Sequence, residues 1–229
     1  MVQVKKAEVR EAILKSAFAL FKRKGYVTTT TAQIAAGAKV SESNLYIYFG
    51  SKFEILFAIC DPWMRKRVQR LEDRLKAESD PRRRLQIILT MLWREMPAED
   101  NGFPNSLMQA LATTARREGY RPDLLRWIEQ RVEAMISECL PPARRAQVAK
   151  GGLAHLLIMA QDGFVLNYHL NPNSICPDTT VDLVCDLLLG NARVIAAGGA
   201  AHGAERKVAA SSFSSSLGSV RRRRSSSTE

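Results

Sequence analysis

Residues 25–52 read GYVTTTTAQIAAGAKVSESNLYIYFGSK, and the order of residue types in this stretch decides the fold. Thr28 to Thr31 is a run of hydroxyls suited to capping a helix, with Thr29 or Thr30 best placed to accept from the free N–H groups of the first turn. A short helix follows, carrying Ile34 and Ala35 inward. Gly37 to Val40 is a turn, and Ser41 caps a second short helix with Leu45, Tyr48 and Phe49 on its apolar face. That second helix opens on Ser41, Glu42, Ser43 and Asn44. Such a polar front end is what a helix needs if it is to sit in a DNA major groove. Gly50 closes it, and Ser51 caps a long helix reaching to about Ala77.

Helical spacing continues in both directions. Ile13, Leu14, Ala17, Phe18 and Phe21 predict a helix over residues 5–24, with Lys22, Arg23 and Lys24 suiting the negative end of its dipole and Gly25 stopping it. Asp80-Pro81 starts another, followed by Leu85, Ile88, Leu89 and Leu92. Residues 97–104 read as a loop, 107–115 as a helix, and Pro122 opens a helix through Ile136. After Pro141-Pro142 comes one long apolar helix over about 143–168, a loop over 171–177, and a last helix over 177–197. The expectation is all-α, about nine helices and no strand. Residues 1–50 form a three-helix helix-turn-helix domain, 51–197 a helical domain, and 198–229 a tail. The tail is rich in Gly and Ala, then Ser, then Arg221 to Arg224, a composition unable to bury enough surface to fold.

The net charge of +11 is concentrated at the ends. Residues 1–60 hold nine cations against four carboxylates, and residues 201–229 hold six against two. Basic ends attract a polyanion and speed encounter with it. Cys60, Cys139, Cys176 and Cys185 form no CxxC pair and read as free thiols of a reducing compartment. Lys5, Lys6, Glu8, Arg10 and Glu11 occupy the place of a signal-peptide core, and no run of apolar residues is long enough to cross a membrane. The expected location is the cytoplasm. His155, His169 and His202 show no HExxH spacing, and neither GxGxxG nor GxxxxGK[ST] occurs, so neither an enzyme nor a cofactor is expected.

The opening segment resembles the DNA-binding domain of TetR-family transcriptional regulators over roughly residues 8–60. Gly25-Tyr26, the Thr pair, Ile34-Ala35, Val40-Ser41, Leu45-Tyr46, Tyr48-Phe49 and Ser51-Lys52 fall at the family's spacing without a gap. Two positions depart from it. Lys39 stands where the family usually has Gly, and a positive φ there costs about 1 kcal/mol; Ser43 stands where Gly is frequent.

The resemblance implies a set of roles. Ser43 and Asn44 are base-edge candidates, with Glu42 and Tyr46 beside them; Asn reads adenine bidentately, and Tyr packs on a thymine methyl or reaches a phosphate. Thr30, Thr31, Tyr48 and Lys52 would hold the phosphate backbone, with Lys39 and Ser41 close by, and Lys5, Lys6 and Arg10 could add to it. The plainer reading of Tyr48 is core packing beside Phe49. The last two helices would pair with a second copy, and a homodimer would read a palindromic double-stranded operator. A repressor released by an apolar or aromatic small molecule is the expected mechanism, with Trp93, Met96, Phe103, Met108, Trp127, Met159 and Asn167 as candidate ligand contacts. Large apolar residues at helical spacing also serve as ordinary core. A DNA binder with no small-molecule effector, controlled by a protein partner or by abundance, therefore stays open beside this reading. A cavity lined by some of these residues favours the first, a filled core the second.

Overall fold

The computed structural model describes residues 2–99, 102–114 and 122–191, the side chains of residues 2–5 and 149 excepted. Among the described residues there are ten helices and no strand. Met1–Leu189 packs as one compact unit; of the second, Gly190–Glu229, only Gly190 and Asn191 are described. The expected tail over 198–229 lies outside the described residues.

The head comprises α1 (Val2–Lys24), α2 (Thr31–Gly37) and α3 (Glu42–Tyr48). Ile13, Ala17, Phe21, Ile34, Leu45 and Phe49 are buried between them. The caps are local and reciprocal. Thr30 accepts from Gln33 N–H, and the Gln33 side chain accepts from Thr30 N–H, which makes a capping box. Ser41 accepts from Asn44 N–H at 3.1 Å, and Ser51 accepts from Glu54 N–H at 3.1 Å to open α4 (Lys52–Lys76). Each cap satisfies an N–H that the first turn leaves without a partner. Lys39 in the turn has φ 58°, and it is the one non-glycine residue with positive φ among those described.

The body holds α4 and six further helices. α5 (Pro81–Thr90) continues through a π-helical turn, Met91–Glu95, to Ala98. Pro97 follows that turn and cannot donate to the carbonyl of Trp93 four residues back, so the widened turn falls where the ladder loses a bond. Next come α6 (Gly102–Thr113), α7 (Asp123–Cys139), α8 (Pro142–Gly151), α9 (Leu153–Leu170) and α10 (Asp178–Leu189).

Three boundaries differ from expectation. The single helix over 143–168 is two helices, because Gly152 adopts φ 64° and ends α8 in a left-handed cap. The loop over 97–104 shrinks, because α6 already starts at Gly102 and carries Pro104 in its first turn, where a missing N–H removes no helical bond. The last helix ends at Leu189 with Gly190 at φ 85°, and its expected continuation over 192–197 lies outside the described residues. All four cysteines are buried and free.

Candidate functional site

The short helix α3 turns Leu45 fully inward and leaves Glu42, Ser43, Tyr46 and Ile47 exposed, with Asn44 and Tyr48 half-buried. Its exposed face is held in place from α2. The Thr31 hydroxyl donates to Glu42 Oε1, and the Tyr46 hydroxyl lies 3.3 Å from Thr31 Oγ1. Ser41 Oγ and Ser43 Oγ are 3.0 Å apart. The structure thus brings Thr30, Thr31, Ser41, Glu42, Ser43, Asn44 and Tyr46 to one exposed edge of the head, with Lys39 exposed in the turn beside them. Tyr48 packs against the buried core. Arg10 lies over the Phe49 ring at 5.1 Å.

Ile47 was missed by the sequence reading, although it is 76% exposed. The signal was available: Ile47 falls off the apolar stripe of Leu45, Tyr48 and Phe49. A bare isoleucine on the exposed face of a helix suits contact with an apolar group such as a thymine methyl.

Lys52 is placed unlike the other candidates. Its Nζ donates to the carbonyls of Tyr26 at 2.8 Å and Thr29 at 2.7 Å and sits 4.2 Å from the centre of the Tyr26 ring. It therefore pins the α1–α2 loop to the start of α4. Partial burial lowers its pKa. An ammonium with two donors committed to carbonyls has little left for a phosphate.

Helix α6 touches both the head and the body. One face, Gly102, Ser106 and Gln109, meets α1 and its loop. Ser106 Oγ lies 2.8 Å from the Phe21 carbonyl, and Gln109 Oε1 accepts from Val27 N–H at 3.2 Å. A Cβ at Gly102 would collide with the Lys22 carbonyl oxygen. Phe103, fully buried, packs edge-on against Phe18 of α1 at 5.1 Å and Trp63 of α4 at 5.2 Å.

The opposite face of α6, with Leu107, Met108 and Leu111, lines a cavity of about 360 Å³. Phe57, Cys60 and Met64 of α4 form a second wall, and Leu124, Leu125 and Ile128 of α7 a third. Helix α9 closes it with His155, Ile158, Met159, Gln161 and Asp162. Burial pushes the Asp162 carboxyl up to about 6, and burial beside Asp61 pushes the Cys60 thiol up to about 12.

Of the expected ligand contacts, Met108 and Met159 line this cavity. Trp93, Met96 and Phe103 are core: the Trp93 indole donates to the Leu157 carbonyl at 3.1 Å and stacks near Phe164. Trp127 lies under the Arg65 guanidinium, and Asn167 is exposed on α9. Asp162 and Gln161 were missed, since nothing in their local sequence separates a cavity-facing acid or amide from a solvated one. No group of residues able to hold a metal ion occurs among the described residues.

A helix-turn-helix head with an exposed polar recognition edge, set on an all-helical body, defines a DNA-binding transcriptional regulator. Comparisons with known proteins agree. Residues 13–59 match the family described as bacterial regulatory proteins, tetR family. The nicotine-responsive transcriptional repressor HdnoR of Paenarthrobacter nicotinovorans is 24% identical over 81% of this chain and 98% of its own. The transcriptional regulator HbdR of an Aromatoleum species is 52% identical over 50 residues, 22% of either chain. A TetR-family regulator from Bordetella parapertussis, 25% identical, superimposes with a TM-score of 0.52 over 79% of this chain and 94% of its own. Residues 13–59 are a TetR-family DNA-binding domain, and the chain is similar to transcriptional regulators, not enzymes, over about four-fifths of its length. No helix among the described residues is long and apolar enough to cross a membrane.

Proposed function

We propose that this chain is a homodimeric repressor whose grip on a palindromic operator is released when a small ligand enters the cavity between α4, α6, α7 and α9. The observation that carries the proposal is the two-sidedness of α6. Leu107, Met108 and Leu111 line the cavity, while Gly102, Ser106 and Gln109 contact the end of α1 and the loop before α2. A ligand that displaces α6 changes how the head sits on the body, so its differential affinity for the two arrangements becomes a change in operator affinity. The name of the HdnoR relative, a nicotine-responsive repressor, supports both repression and response to a small molecule.

Within the head, residues 1–50, base reading falls to Ser43, Asn44, Tyr46 and Ile47, with Glu42 orienting the edge through Thr31. Thr30, Thr31, Lys39, Ser41 and Tyr48 are assigned to the phosphate backbone. Lys52 acts chiefly as the internal tie described above.

Dimerisation is assigned to the body, residues 51–197, through α9 and α10. Leu156, Met159, Leu166 and Leu170 are exposed along one face of α9, and Leu183 and Leu187 along α10. With Gly163 between them, the α9 positions repeat at three and four, the spacing of a helix–helix seam. A contiguous apolar face of this kind marks an interaction surface.

The test is selection from a random duplex library, followed by a salt titration of the winners. A palindromic consensus with a steep salt slope supports the reading. Binding without a consensus would refute sequence-specific repression.

A further inference from the structure

The polar groups of the cavity are unevenly distributed. Helices α6 and α7 contribute only leucine, methionine and isoleucine, and the one titratable group from α4 is Cys60, kept as a neutral thiol by burial. Among the described residues, everything else polar comes from α9, and no lysine or arginine lines the space. His155 is turned to Glu129, with Nδ1 2.6 Å from Oε1, which places a second carboxylate rather than a cation behind it. Asp162 has no hydrogen-bond or ion-pair partner among the described residues and loses much of its water to the surrounding side chains. With its carboxyl raised to about 6, it is still mainly ionised at neutral pH. Among the described residues the cavity is therefore apolar with one uncompensated negative charge.

That arrangement ranks ligands by their charge. A carboxylate ligand meets a like charge in a poorly screened site. A neutral apolar ligand strips the remaining water from Asp162 and leaves the acid unpaired, which is costly. A cation on an apolar body relieves the desolvated carboxylate with a charge-assisted hydrogen bond and fills the rest of the space with carbon. We infer that the cavity takes a lipophilic monocation, an amine carried on an apolar or aromatic body, with Asp162 as its counter-charge and Gln161 as a neutral hydrogen-bonding neighbour. The inference rests on the reading of this cavity as the effector site and names the chemistry of its ligand.

Asp162 also sits one helical turn from Ile158 and Met159, on the same face of α9 that lines the cavity. An amine drawn to it lies with its body towards Leu107, Met108 and Leu111 of α6, the helix that holds the head. Charge recognition and release from DNA are thereby joined through one ligand.

The test uses the full chain and matched probes: phenylbutyl and decyl bodies, each carrying a primary amine, an alcohol or a carboxylate. Calorimetric titration gives affinity, and methyl signals of Met108 and Met159 report occupancy of the cavity. For each body, the amine should bind roughly 10- to 100-fold tighter than the alcohol, the range a hydrogen bond to a charged group provides, with the carboxylate weakest. Asp162→Asn should bring the amine down to the level of the alcohol without weakening the alcohol. An alcohol or carboxylate that binds as tightly as its amine, or an amine preference that survives Asp162→Asn, would overturn the inference. Alcohols or carboxylates that occupy the cavity and release operator would leave the effector reading standing while this inference falls. If no probe moves either methyl signal, both fall.

Discussion

Lys52→Met separates two accounts of the same cation. The substitution keeps an unbranched apolar stem and removes the ammonium that donates to the Tyr26 and Thr29 carbonyls at 2.8 and 2.7 Å. A hydrogen bond from a charged donor is worth about 1.5–3 kcal/mol when well shielded. Lys52 is only partly buried, and water can replace part of what is lost, so the two bonds together should be worth about 1–2 kcal/mol. Urea unfolding of the variant should show that loss. Operator binding should weaken through loosening of the α1–α2 loop, with the slope of log affinity against log salt unchanged. A residue contacting phosphate behaves differently: stability holds, affinity falls for every sequence, and the slope drops by about one. Unaltered stability together with a shallower slope would refute the tie and return Lys52 to the phosphate backbone.

Other substitutions probe other parts of the molecule. Lys39→Gly removes a side chain from a backbone at φ 58° and should stabilise the protein by about 1 kcal/mol; an unchanged midpoint would mean that Lys39 bears no strain. Gly163→Glu places a carboxylate on the apolar face of α9, where a Cβ meets nothing within this chain. Sedimentation should show a monomer with its helical content intact, and a persistent dimer would place the interface elsewhere. Asp162→Asn tests burial of the acid. Its carboxyl titrates at about 6 in the folded chain against an ordinary 3.8, so the folded state binds the proton more readily than the unfolded one. The native residue therefore loses stability as pH rises through about 6. The variant should be more stable than wild type at pH 8 by up to about 3 kcal/mol, with the difference shrinking towards pH 4. An equal difference at both pH values would show that the acid is not desolvated.

The head was legible because its signals are local. Thr30, Ser41 and Ser51 cap the helices that follow them, Gly25 at φ 81° stops α1, and the strained turn at Lys39 shows as a departure from glycine. The break at Gly152 was hidden because a glycine within an apolar run is tolerated by a helix as well as able to end one. Lys52 read as a free cation at a helix start, since only the folded chain brings the Tyr26 and Thr29 carbonyls to its ammonium. The cavity was the least legible feature. Large soft side chains such as Trp93, Met96 and Phe103 are well able to fill space, and they fill the core. The void lies instead among other side chains of four helices distant in sequence, leucines and isoleucines with Phe57, Met64, Met108 and Met159, beside an acid buried by the fold.

In the proposed mechanism α6 carries the state of the cavity to the head. Met108→Trp fills the cavity from α6 itself and stands in for a bound ligand. Its affinity for the selected operator, measured without any effector at fixed salt, should fall by about tenfold or more while thermal stability is retained, a change within the usual range of allosteric coupling. A stable variant that binds operator as tightly as wild type would contradict that mechanism.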